Sequence, residues 1–140
     1  MNDYTVSIQR VFSEEDENKL DYVNLVFTHI TTGAQIAKTN IPIANEEFGK
    51  PMIPGYEEMW TNMIAAIESK TTTWVTFLDM NGRYAFRVVD GLMFEIHVSQ
   101  YGGSVWSDFQ CTFEINRHLT EALHSVLGML TEKKHAKNEV

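Results

Sequence analysis

Along this chain the spacing of hydrophobic residues alternates between two periods, and each change of period marks an element. From Tyr4 to Phe12 the pattern is two-fold: Tyr4, Val6 and Ile8 fall on one side of a strand, Thr5, Ser7 and Gln9 on the other. Tyr22 to Ile30 is rich in β-branched and aromatic residues, and Gly33 supplies a turn before a third run through Ile43. Two registers are open for that second hairpin. A two-residue turn at Thr32-Gly33 and a three-residue loop ending at Gly33 present opposite sets of side chains to the core. Asn45 to Gly55 carries Pro51, Pro54, Gly49 and Gly55 and reads as a loop.

The period then becomes helical. Tyr56, Met59, Trp60, Met63, Ile64 and Ile67 form a single apolar stripe, with Glu57 and Glu58 in the first turn and Lys70 past the last. Thr71 to Ile115 returns to two-fold spacing and predicts a four-stranded meander: Thr73–Met80, Arg83–Val88, Leu92–Gln100 and Val105–Ile115. Leu119, Leu123, Val126, Leu127 and Leu130 then predict a closing helix capped by Asn116, with Lys133 and Lys134 at its negative end. Gly128 inside that span costs about 1 kcal/mol relative to Ala, and predicts an early end or a close approach.

Turn chemistry selects registers within the meander. Asn81-Gly82 is a strong two-residue hairpin signal and pairs Met80 with Arg83. That places Val75, Phe77, Tyr84, Phe86 and Val88 on one face. For the next turn, a two-residue loop at Asp90-Gly91 would set Phe86 and Val88 beside Glu95 and Met93. A three-residue loop, Val89-Asp90-Gly91 with Gly91 left-handed, instead pairs Val88 with Leu92 and Phe86 with Phe94, so the large apolar groups share a face. A four-residue turn at Tyr101–Ser104 keeps Ile96 and Val98 on the side of Phe109, Cys111 and Phe113.

The predicted architecture is α+β: a mainly antiparallel, twisted sheet of about seven strands in the order β-β-β-α-β-β-β-β-α, with two amphipathic helices packed on it. Whether the first three strands join the meander's sheet is left open by the pattern. The expected organisation is a single domain over 1–135 with a frayed tail over 136–140.

Composition narrows the function classes. Within 140 residues, 11 Lys and Arg stand against 19 Asp and Glu, a formal net charge of -8. Such a chain lacks the broad cationic face that phosphate contacts require, so direct nucleic-acid binding is not expected. A single cysteine, Cys111, excludes an internal disulfide framework and suits a reducing compartment, so a cytoplasmic setting is expected (the host cytoplasm for a viral chain). No apolar run approaches the ~20 residues of a membrane helix, and Met1-Asn2-Asp3-Tyr4 has no signal-peptide character.

With those registers the meander's outward face carries three cross-strand rows: Met80, Arg83, His97, Asp108; then Leu78, Ala85, Glu95, Gln110; then Thr76, Arg87, Met93, Thr112. Trp74 and Trp106 lie at its margins. One face of any half-buried sheet must be polar, and that plain reading stands first. Yet the mixture of Trp, Met and Arg with both signs of charge is also the composition of interface cores. Trp74, Arg83, Arg87, Met93, Glu95, His97, Trp106, Asp108 and Gln110 are therefore the candidate partner-binding residues. The row Arg83, His97, Asp108 has the form of a poised base, but no nucleophile or oxyanion donor accompanies it, so no catalytic residue is assigned.

The remaining signals are weaker. His118 and His124 lie six apart and point to different sides of a helix, so they do not make a metal pair. His29 reads as a satisfied strand histidine, Cys111 as a small buried hydrophobe, and Gly102-Gly103 as a hairpin turn rather than a phosphate loop. Glu14 to Glu17 lack the spacing of a calcium loop and read as a solvated run. Met52, Met59 and Met63 near Trp60 read as core filler. No metal or cofactor is expected.

In size, acidity, single cysteine and lack of a catalytic constellation the chain resembles, in general character, the small cytoplasmic immunity proteins and phage-encoded inhibitors that bind one partner. That likeness covers architecture and charge and fixes no residues. The leading expectation is a non-enzymatic acidic protein that binds and neutralises or regulates a basic protein partner, with a homodimer as a further candidate. The alternative is a small-molecule, nucleotide-like binder or sequestering oligomer, with Tyr56, Trp60, Arg83 and Arg87 supplying stacking and anion contacts. A small hydrolase ranks lowest, and a purely structural assembly role is a fourth class.

Overall fold

The structure, a computed structural model, describes residues 3–43, 46–47, 50–51, 55–79, 82–102 and 105–138. The fold is α+β in the predicted order, with strands β1 (Tyr4–Phe12), β2 (Leu20–His29), β3 (Gln35–Pro42), a two-residue ladder of β4 (Glu46–Glu47) and β5 (Lys50–Pro51), helix α1 (Tyr56–Ser69), strands β6 (Thr73–Asp79), β7 (Gly82–Val89), β8 (Met93–Gly102) and β9 (Val105–Glu114), and helix α2 (Arg117–Asn138). The seven long strands divide into two antiparallel sheets, β1-β2-β3 and β6-β7-β8-β9, which answers the question the sequence pattern leaves open. No helix among the described residues is long and apolar enough to cross a membrane. The chain falls into two compact units, one comprising Glu58–Ile115 and the other Asp3–Glu57 with the segment from Asn116 onward.

In the second of these, the β2–β3 register pairs Phe27 with Ala37 and Val23 with Ile41. This is the parity of a loop ending at Gly33 (φ +73), and a bulge between Phe27 and Thr28 takes up the difference at the turn. Val23, Leu25, Phe27, Ala37, Thr39 and Ile41 consequently share the buried face, and Tyr4 packs on Phe27 with ring centroids 5.8 Å apart. Helix α2 lies against β1 and buries Leu119, Ala122, Leu123, Val126 and Leu130. Asn116 caps it: the side-chain oxygen accepts the Leu119 amide at 3.0 Å, and the side-chain nitrogen donates to the Tyr4 carbonyl at 3.1 Å. The helix runs on through Gly128, around which there is open space.

In the first unit, α1 buries Trp60, Met63, Ile64 and Ile67 of the predicted stripe and leaves Met59 half-buried. Trp60 meets Phe86 edge-on at 6.0 Å, and Phe86 in turn meets Phe94 at 5.5 Å. Val75, Phe86, Val88, Phe94, Ile96 and Phe113 are fully buried around them. Except for Leu92, the meander's described side chains keep their predicted faces, but the strands slide in register. β6 and β7 pair Asp79 with Gly82, so the two-residue connection falls one position earlier than Asn81-Gly82, at Met80 and Asn81, which lie outside the described residues. β7 and β8 pair Val88 with Phe94, not with Leu92, and the three-residue turn is Asp90-Gly91-Leu92. Asp90 (φ +54) and Gly91 (φ +65) are both left-handed there, and Leu92 is 59% exposed rather than in the core. β8 and β9 continue pairing to Gly102 and Val105, so the expected four-residue turn shrinks to Gly103 and Ser104, which lie outside the described residues.

The displaced β7–β8 turn has a partner that short-range signals do not reveal. Lys70 ends α1 in the left-handed region (φ +60), and the Thr71 amide reaches back to the Ala66 carbonyl at 3.0 Å. The Gly91 amide then donates to the Thr71 carbonyl at 3.0 Å, and the Asp90 amide to the Thr72 hydroxyl at 3.0 Å. A Cβ at Gly91 would lie 2.7 Å from the Lys70 Cα and 2.9 Å from the Ala66 and Ile67 carbonyl oxygens. Only glycine lets the turn seat on the end of that helix.

Candidate functional site

Because side chains alternate along a strand, burying Val75, Phe86, Phe94, Ile96 and Phe113 forces their neighbours outward. The observed outward rows are Arg83, Ser99, Asp108; Thr76, Ala85, His97, Gln110; and Trp74, Arg87, Glu95, Thr112, with Met93 opposite Val89 and Glu114 at the end. The side chain of Leu78, whose backbone pairs with Arg83, lies outside the described residues. Each row differs from its expected membership because the turns slid, while the described residues of these rows stayed on their predicted face.

The slide decides which groups meet. His97 does not join Arg83 and Asp108. Instead Asp108 accepts a 2.8 Å bond from the Ser99 hydroxyl, and Arg83 stands exposed opposite Ser99. His97 meets Glu95, two residues back on the same strand, with Nε2 2.8 Å from Glu95 Oε1. Glu95 Oε2 lies 3.4 Å from Arg87 Nη2. The Arg87 guanidinium sits 5.0 Å above the Trp74 ring, and Trp74 reaches past small Ala85 to His97, with ring centroids 5.7 Å apart. Trp74, Arg87, Glu95 and His97 thus close a ring of four contacts: one cation–π, one ion pair, one hydrogen bond and one ring–ring approach.

Burial is graded across this cluster. Glu95 is the most enclosed, its side chain 15% exposed, while Arg87 and His97 each keep about a third of theirs in solvent (32%). Trp74 is 45% exposed. The carboxylate at the centre is therefore held by two partners, and the indole at the margin presents apolar surface outward. Met93 is half-buried beside the cluster, and Gln110 is exposed on β9. The side chain of Trp106, whose backbone pairs with Tyr101, lies outside the described residues.

Two further groups of residues are not assembled. Tyr56 and Trp60 are buried on α1, and Trp60 packs against the inner face of the meander, whereas Arg83 and Arg87 emerge from the outer face. Trp60 and the two arginines of the small-molecule reading thus stand on opposite sides of one sheet. Among the described residues the hydrogen bond of His97 is to Glu95, and none from a Ser, Thr or Cys is present. Nor is any group of three His, Cys, Asp or Glu disposed to hold a metal ion among them. His29 closes its own hairpin, its Nδ1 lying 3.3 Å from the Thr32 amide. Cys111 is half-buried rather than enclosed, and burial pushes its thiol above the usual value.

Two features of the site escape sequence reasoning. The Glu95–His97 contact was available in principle, since residues two apart in a strand share a face. Ser99 as the partner of Asp108 was hidden by the register alone.

No family model matches this chain, and no curated protein matches it. Among solved structures it is similar to the Trypanosoma bruciei MRP1/MRP2 crystal structures, with a TM-score of 0.45 and 11% identity, covering 93% of this chain and 85% of that one. At that identity and TM-score the likeness assigns no function.

Proposed function

We propose that this chain is a non-enzymatic interaction protein. Its outward face on β6–β9 docks one basic protein, which it neutralises or regulates in a reducing cytoplasm. The observation that supports this reading is the closed Trp74–Arg87–Glu95–His97 cluster on a solvent-facing sheet. Polar side chains on an idle sheet face are free to move, and ordering them on binding costs about 0.5–1.5 kcal/mol each. Here four neighbours are already ordered by one another. They flank a half-exposed indole of the kind that anchors interfaces, with Met93 alongside. The net charge of -8 supplies the second part of the reading: it would draw a cationic partner in from solution and repel acidic ones.

The test is a binding measurement on a partner that co-purifies with the chain and is identified by mass. Its association rate should fall steeply as ionic strength rises. Trp74→Ala should weaken the complex about tenfold or more while leaving the melting temperature of the free protein unchanged. A rate flat in salt, undiminished binding by Trp74→Ala, or a retained small molecule in place of a protein would overturn the proposal.

A further inference from the structure

The four outer strands of the two sheets leave backbone groups without a sheet partner, and they differ in how they are protected. β1 carries Arg10 and a bulge between Val11 and Phe12; β3 carries Lys38 and ends on Pro42. β6 is seven residues long and its inward Val75 is fully buried. β9 has none of these devices. It runs ten residues as VWSDFQCTFE with no Lys, Arg or Pro, pairs with β8 without any register shift, and is exposed on both sides at Asp108, Phe109 and Gln110. Phe109, on the inward side, is 50% exposed, although the sequence pattern places it in the core.

The direction in which β9's backbone groups point follows from one bond. The Ile115 amide donates to Leu92 at 3.0 Å in the register that continues the β8–β9 ladder. Hydrogen-bonded pairs alternate in an antiparallel ladder, so residues 109, 111 and 113 bond to β8. Residues 108, 110, 112 and 114 then point their N–H and C=O groups away from it. Among the described residues, no backbone–backbone bond is made by Asp108, Gln110 or Thr112 on that side.

We infer that two copies of this chain pair antiparallel through β9, joining their four-stranded sheets into one, with Phe109 of one copy opposite Phe109 of the other. Pairing β9 with itself closes as a dimer, whereas pairing β9 with β6 of another copy would propagate without end. Two copies related by an axis normal to the sheet keep their outward faces on one side. The pleat then allows only registers that place some residue opposite itself. Four such residues lie near the strand's exposed stretch. Centring on Asp108 sets two carboxylates opposite each other. Centring on Cys111 sets Asp108 opposite Glu114 twice. Centring on Gln110 sets Phe109 opposite Cys111 and leaves no aromatic pair. Centring on Phe109 opposes no like charges, pairs Asp108 with Gln110, and buries the half-exposed Phe109 side chain against its own copy.

Sedimentation of the intact chain over a concentration series should give twice the chain mass at high micromolar concentration. Phe109→Lys should raise the dimer dissociation constant at least about tenfold, which is ~1.4 kcal/mol. Gln110→Pro removes an outward N–H without touching the β8–β9 ladder and should do the same. Both variants should keep the wild-type circular dichroism. In a Cys111→Ser background, Phe109→Cys should cross-link two chains under mild oxidation, because a non-hydrogen-bonded pair brings Cα atoms to ~4.5 Å. Gln110→Cys should not, lying ~7–8 Å from its own copy. A wild type that stays monomeric, a dimer indifferent to both edge variants, open-ended polymers, or cross-linking at 110 in place of 109 would each overturn the inference.

Discussion

The two faces of the β6–β9 sheet are made from the same four strands, residue by residue in alternation, yet they hold together by different physics. Phe86, Phe94, Ile96 and Phe113 on the inner face are within 1% of complete burial, so their contribution is removal of apolar surface from water, about 1.5–3 kcal/mol each. On the outer face, Arg87, Glu95 and His97 keep part of their surface wet and hold one another through charge and hydrogen bonds. Partly solvated pairs of that kind contribute about 1 kcal/mol or less. One side of the sheet therefore carries the stability, and the other is free to vary without unfolding the protein.

Substitutions at adjacent residues give the sharpest test of that contrast. Phe94→Ala should lower the unfolding free energy by about 3–5 kcal/mol in a denaturant titration. An equally large effect from its outward neighbour Glu95 would break the comparison. Next in size is Gly91→Ala, which forces a side chain into a left-handed turn seated on backbone atoms and should cost about 2–4 kcal/mol by the same titration. Glu95→Gln keeps the shape and the bond to His97 but removes the charge facing Arg87. It should change stability by less than about 1 kcal/mol, and the effect should shrink in high salt.

The smallest effect concerns the margin where the inner face loses its cover. Burial raises the Cys111 thiol, so the folded chain holds that proton more tightly than the unfolded one. The resulting stability is complete below the ordinary thiol range and is lost as pH climbs through the folded value. Iodoacetamide should label Cys111 more slowly in the native protein than in denaturant, with the native rate still climbing at pH values where the denatured rate has levelled off. Equal labelling in both states would show that the inner face is not sealed as far as β9.

The strand faces were legible because parity is a strong constraint: moving Phe86, Phe94 or Phe113 to the outside would expose a whole row. The registers were less legible, because sliding a hairpin by two residues keeps every side chain on its face. What settles the β7–β8 turn is not its own chemistry but Thr71 and Thr72, whose carbonyl and hydroxyl receive the Gly91 and Asp90 amides. Those residues are nearly 20 positions away, and nothing in Val89-Asp90-Gly91-Leu92 announces them. Leu92 went outward for that reason, and His97 met Glu95 in place of Asp108. Phe109 shows a different limit: alternation gives the side of the sheet on which a residue lies, not how far the neighbouring elements extend over it.

The Asn116 side chain, donating to Tyr4 across 112 positions of sequence, has a bearing on how the chain is made. Glu58–Ile115 is an unbroken stretch, so all its contacts are available once that stretch has left the ribosome. The unit that contains β1 is interrupted by it and waits for α2 before that helix can pack on β1. During synthesis the earliest strands are thus the last to be sheltered, and the cell must keep them from straying through that interval.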